Sequence, residues 1–232
     1  MRIKVNASNV ASLIGKNPFK NQKDALNEVM MDNGLMQEDE EAAELIEEIE
    51  TLCKTETDLV CASKNQVELE ANIRVYEQKV KESTQAKGQS DTSPVVLQAL
   101  SLAVKERGTR IEEESTNKLE ASSGLTIHSR NARCYIYPIP STNIVIAGRS
   151  DGLQGDDTVV ETKTRRRFWK SPPEYDLIQL RCYMKLTNRQ FGILNECFPD
   201  GTSRATKIEW SDTVWSEIEN KLITYILPYT SK

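Results

Sequence analysis

The chain has 232 residues, 38% hydrophobic and 28% charged, with a net charge of −5. That length suits one substantial domain or one domain with an insertion. No apolar run approaches eighteen residues, and residues 1–20 lack a leader-like apolar stretch, so no membrane span is expected and an intracellular protein is, with nucleus and cytoplasm unresolved. The five cysteines are odd in number and form no C-x-x-C pair, which argues against a disulfide framework, a zinc site or an iron–sulfur cluster and for buried free thiols.

Net charge alone argues against a polyanionic partner, but its distribution reverses that. Between Glu28 and Cys61 lie twelve acidic residues and one basic residue, a net −11 against the chain's −5, which leaves +6 for the remainder. A basic body with an acidic insert can still hold nucleic acid.

In chain order, residues 5–15 read as a short helix with Val10, Leu13 and Ile14 inward and Gly15 ending it. A second helix is expected over 22–31. Within 37–87, Leu45, Ile49, Leu52 and Leu59, then Leu69, Ile73, Tyr76 and Val80, fall near heptad spacing, which predicts two amphipathic helices in an antiparallel hairpin. This charged arm is read as a solvated structural insertion, the alternative being a docking arm. Residues 88–94 form a linker, and 94–121 return to helix with Leu97, Leu100 and Val104 on one face. Residues 126–137, 143–149 and 158–163 predict a three-stranded antiparallel meander. A helix at 173–187, strands at 190–197 and 204–210 and a helix at 212–227 complete the chain. His128, the one histidine, is placed on an edge strand, and Trp210 and Trp215 in the core.

The residues that carry chemistry are Asp151, at the end of one expected strand, and Glu161 and Lys163, two apart on the next. Period-two geometry puts Glu161 and Lys163 on one face, with Val160 and Thr162 opposite. Antiparallel pairing would bring Asp151 beside them. Two carboxylates of this kind suit Mg²⁺ (or Mn²⁺), which prefers hard oxygen ligands and keeps several waters. Such an ion activates water and offsets charge on a phosphodiester under attack, while the amine orients or deprotonates the water or stabilises the developing anion. A surface ion pair is the competing reading of the same three residues. Favouring the metal site are the apolar flanks, Ile144 to Ile146 and Val159 to Val160, and the basic aromatic run Arg165, Arg166, Arg167, Phe168, Trp169, Lys170, whose cations suit phosphates and whose rings suit bases.

GRSDG…VVETK resembles the strand pair of the PD-(D/E)XK nuclease superfamily, and the wider pattern resembles its lambda-exonuclease-like, YqaJ-type viral recombinase branch. NASNVASLIGKNPF resembles that branch's opening helix, RGTRIEEE its R-G-x-x-x-E segment, SDGL its strand-end motif and YDLIQLRCYMKLT its glutamine-bearing helix. The likeness covers residues 3–31 and 94–197. It implies an α/β, restriction-endonuclease-like core of order αβββαβ, with a mixed central sheet flanked by helices and a helical insertion. The expected division is N-terminal helices at 1–36, an acidic helical hairpin and linker at 37–93, and the nuclease core at 94–232.

Carried over residue by residue, the resemblance implies Asp151, Glu161, the Thr162 carbonyl and Glu112 around the metal, Lys163 as catalytic lysine and Gln179 as a positioning residue. It places Ser8 near the 5′ end of a DNA substrate and Tyr183 one turn beyond Gln179; with Arg165, Arg166, Arg167, Trp169 and Lys170 these form the expected DNA contacts. The arginine that usually precedes the opening helix has its nearest counterpart in Arg2. The activity implied is a metal-dependent DNA exonuclease, 5′→3′ on duplex ends, in recombination, repair or end processing. A single-strand annealing protein and a homo-oligomer are the implied partners. The alternatives are a structure-specific or nicking endonuclease on the same site, and a DNA-binding scaffold with a retired site.

Overall fold

The computed structural model describes residues 2–36, 40–88, 90 and 94–229, apart from the side chains of residues 40, 42, 94, 95, 97, 109, 110, 112, 113, 122 and 123. It opens on a strand, β1 (Ile3–Asn6), where helix was expected from residue 5; the helix proper, α1, is Ala7–Leu13. The four residues of β1 alternate, Ile3 and Val5 buried and Lys4 exposed, and pair in parallel with a later strand, Ile3 against Ile144 and Val5 against Ile146. So short an alternation carries no period of its own, and the partner lies 141 residues away in the sequence. Then come α2 (Gln22–Asp32), α3 (Glu40–Leu52), α4 (Lys54–Ala62), α5 (Gln66–Gln85) and α6 (Pro94–Ser123).

The expected hairpin is three helices, because the chain breaks at Cys53. The break rephases the buried stripe: Cys53 and Val60 are fully buried, while Leu52 and Leu59, expected inside, are about half exposed. α5 follows the expected pattern, with Leu69, Ile73, Tyr76 and Val80 all buried. Its start is a reciprocal cap: the Asn65 side chain accepts from the Glu68 N–H and Glu68 accepts from the Lys64 N–H. These helices share a core with Val96, Ala99 and Ala103 of α6, and the Tyr76 hydroxyl donates to the Ala99 carbonyl at 2.7 Å. α6 is long, about 45 Å at 1.5 Å per residue. Farther along it, Leu119 packs with Ile127 and Val160, and the Thr116 and Thr162 hydroxyls lie 3.3 Å apart. One helix thereby joins the inserted bundle to the sheet.

The rest of the chain is β2 (Ile127–His128), β3 (Tyr135–Pro138), β4 (Ile144–Gly148), β5 (Gly152–Gln154), β6 (Thr158–Thr164), α7 (Glu174–Thr187), β7 (Phe191–Cys197), β8 (Ser203–Glu209), α8 (Asp212–Ile226) and a 3-10 turn at Leu227–Tyr229. The simple meander is not formed. Strands order as β1-β4-β3 in one sheet and β2-β5-β6-β7-β8 in another, with β2, which carries His128, on an edge. β4 pairs with β3, and the short β5, not β4, pairs with β6. The chain changes sheets across residues 149–151, next to the candidate site. β6 and β7 run parallel, linked by α7, so the second sheet is mixed. The main core gathers α1, α2, α7 and α8 on these strands, with Trp215 inside and Trp210 half-buried against it. The architecture is the α/β one expected, with helices flanking mixed strands. Among the described residues no helix is long and apolar enough to cross a membrane. Of the cysteines, Cys53 and Cys182 are buried, whereas Cys134 is exposed, against expectation; all five are free.

Gly152 opens β5 where backbone and neighbour approach closely. A Cβ there would lie 2.2 Å from Ile127 Cγ2, so one of them must move. Gly152→Ala is expected to cost about 1–3 kcal/mol by overpacking. Because Asp151 is the adjacent residue, activity should fall with it. Chemical denaturation of the pair would check the first, and an unchanged midpoint would refute the crowding argument.

Candidate active site

Gly152 pairs with Val160 in the antiparallel β5–β6 register, so the next step outward sets Asp151 beside Glu161. The Thr162 N–H donates to Asp151 Oδ2 at 2.6 Å, which fixes that carboxylate against β6. On β6, Glu161 is 2% exposed, and Lys163 Nζ lies 2.7 Å from its Oε1. From α7, Gln179 Nε2 donates to the same Oε1 at 2.9 Å and to the Tyr183 hydroxyl at 3.0 Å. Glu161 Oε1 is thus held twice, while its Oε2 is buried with no hydrogen-bond partner.

Five expected residues therefore come together: Asp151, Glu161, Lys163, Gln179 and Tyr183. Thr162 turns its hydroxyl to α6 and its N–H to Asp151. Glu112 belongs to α6, but its side chain lies outside the described residues. Ser8 is exposed at the start of α1 and lines, with Asn6, Arg149 and Tyr183, a hollow of about 310 Å³. Tyr183 itself is buried, its hydroxyl held at the carboxylate cluster.

Burial pushes the Glu161 carboxyl up to about 8; Lys163 pulls it down and Asp151 pushes it up again. Burial by itself would lower the Lys163 ammonium, but Glu161, then Asp176 and Asp151, outweigh it and raise it. Burial and the nearby Glu161 charge raise the Tyr183 phenol. A carboxyl that resists ionising beside a second carboxylate is a site short of positive charge.

The hard oxygens of Asp151 and Glu161 fit a divalent cation of the Mg²⁺ type, and the unpartnered Glu161 Oε2 is the atom that such an ion would satisfy. Among the described residues no group of three or more His, Cys, Asp or Glu side chains gathers to hold a metal.

Arg165 is a correction. It is 7% exposed, with Nη2 2.7 Å from Asp176 Oδ2 and 2.7 Å from Glu196 Oε1, and is not available to a phosphate. Fully buried Glu196 also takes Arg204, whose Nη2 lies 2.6 Å from Oε2. Arg204 Nη1 then donates to the carbonyls of Trp169 and Lys170. This Asp176–Arg165–Glu196–Arg204 chain was missed, although Arg165 continues the Glu161, Lys163 alternation and so had to share their buried face. Arg166, Arg167 and Lys170 are exposed, as expected of DNA contacts; Trp169 is half-buried, with the Arg167 guanidinium 4.8 Å from its ring centroid.

No family model matches the chain, and no curated protein matches it. Among solved structures the chain is similar to an alkaline exonuclease, LHK-Exo, from Laribacter hongkongensis: 15% identity over 98% of this chain and 88% of that one, TM-score 0.51. It is similar also to LHK-Exo in complex with dAMP: 16% identity, 97% and 87% covered, TM-score 0.51. At that identity the likeness speaks for the fold alone: the chain shares the α/β fold of that alkaline exonuclease.

Proposed function

We propose that the protein is a Mg²⁺- or Mn²⁺-dependent DNA exonuclease, acting 5′→3′ on duplex ends in recombination or end processing. The observation that carries this reading is the buried Glu161 carboxylate, held by Lys163 and Gln179 on one oxygen and open on the other, one register step from Asp151. Asp151 and Glu161 would hold the cation, which supplies an activated water and offsets charge on the scissile phosphate. Lys163 places its ammonium where the reacting oxygens gather, and Gln179 keeps Glu161 in one rotamer. The surface-salt-bridge alternative does not suit a carboxylate that is 2% exposed. That similar structures belong to an exonuclease, one in complex with a deoxynucleotide, supports DNA as substrate.

With Mg²⁺ the purified protein should degrade end-labelled linear duplex DNA and leave closed circular DNA intact. Lys163→Ala should slow it at least about a hundredfold with the fold kept by circular dichroism. Cleavage of closed circles would replace the exonuclease with an endonuclease, and a wild type inert on every DNA end would overturn the reading.

A further inference from the structure

Beyond the C-terminal end of β6 lies a cleft of about 580 Å³, walled on one side by α5 and α6 and on the other by the 165–170 loop. The crevice outside the carboxyl ends of parallel strands is where open α/β sheets usually take ligands, and β6 and β7 are such a pair. We propose that this cleft binds one unpaired nucleotide of a nucleic-acid strand, its base toward α5 and its phosphate toward Arg166 and Arg167; this rests on the nuclease reading above.

Several observations support it. Its size is that of a small-ligand pocket. Half-buried Val104 lines the helical wall with the edges of the buried Leu69 and Ile73, while three rings meet opposite: Phe19 stands edge-on to Trp169 (centroids 6.3 Å apart) and to Tyr175 (5.9 Å). Phe19 is 66% exposed, a large ring left to solvent beside a cleft, and flat π-faces accept any base. The charge is sided: Glu70, bonded by Gln66, lines the α5 wall, and Arg166 and Arg167 line the loop wall, so a phosphate is repelled from one and drawn to the other. Within the same lining, Thr164 Oγ1 is buried with no hydrogen-bond partner. The loop is also held ready, because Arg204 grips the Trp169 and Lys170 carbonyls and Phe168 packs on Phe198 at 4.8 Å. Thr164 and Arg165 follow Lys163 directly, so a strand in the cleft adjoins the candidate active site.

The test is fluorescence anisotropy of a 5′-labelled single-stranded oligo-dC in EDTA, with a blunt duplex of equal length as comparison. Phe19→Ala and Trp169→Ala should each weaken single-strand binding about tenfold, with duplex binding little changed, and Trp169→Phe should restore it. Arg166→Ala with Arg167→Ala should weaken it and flatten its salt dependence. Single-strand binding that ignores Phe19 and Trp169 overturns the proposal, even where the wild type cuts DNA. Binding that depends on both rings, in a wild type that cuts nothing, sustains the cleft and removes the nuclease reading instead. A wild type that takes no oligonucleotide overturns the proposal and leaves the cleft to a protein segment.

Discussion

Glu161→Gln should abolish metal-dependent cleavage and, in the metal-free protein at pH 8, raise the melting temperature. The two effects oppose because burial of the Glu161 carboxyl is unfavourable unless a cation, as proposed, compensates it. Below pH 4.5 the carboxyl is protonated whether the chain is folded or not, so it makes no difference to stability. Between 4.5 and about 8 the unfolded chain releases the proton while burial keeps it on the folded one, so stability falls as pH rises through that window and levels off above it. The cost at the top of the window is about 4 kcal/mol. Gln removes the titration and keeps an oxygen for Lys163 and Gln179, at the expense of one buried N–H. The net gain expected at pH 8 is about 5–10 °C, vanishing below pH 4.5. Mg²⁺ should stabilise the wild type at pH 8 and do little for Glu161→Gln. Melting curves from pH 4 to 9 on both proteins decide it, and a wild type whose stability stays level across that range would show Glu161 ionised and content without a metal.

Glu196→Ala should be the most damaging substitution away from the candidate site. The residue is fully buried and answers two guanidiniums, Arg165 through Oε1 and Arg204 through Oε2. Removing it leaves two buried or half-buried positive charges short of a partner, which costs about 3–5 kcal/mol. A domain holds only about 5–15 kcal/mol in reserve. Arg165 keeps Asp176, and Arg204 keeps the Trp169 and Lys170 carbonyls, so the basic loop loosens rather than detaches. The urea midpoint should drop sharply with the slope unchanged. Glu196→Gln, which retains an acceptor, should lose less. A change under about 0.5 kcal/mol in Glu196→Ala would mean the four-residue chain carries no net stability.

Much of the site could be read from the residues because strand geometry is local. Alternation alone put Glu161 and Lys163 on one face, whereas Gln179 and Tyr183, which now bond one turn apart, were singled out by the family resemblance. The same alternation, carried one step further, would have removed Arg165 from the DNA-contacting set. The meander failed for a different reason: the three-residue strand after Asp151 is too short to carry a period of its own, and which neighbour each strand pairs with depends on residues far along the chain. Leu52 and Leu59 misled because heptad counting assumes an unbroken helix, and the break at Cys53 shifts the buried stripe by one residue.

By itself the sequence determined most of the longer helices and strands after residue 94, the helical character of the acidic segment and the aim of Glu161 and Lys163, since period and burial of short segments follow from the residues within them. The tertiary structure alone decided that β5 rather than β4 pairs with β6, that Glu196 unites two arginines behind the site, and that α5 faces the basic loop across a cleft. Those facts join residues dozens of positions apart, and no local pattern records which distant surfaces will meet when the core closes.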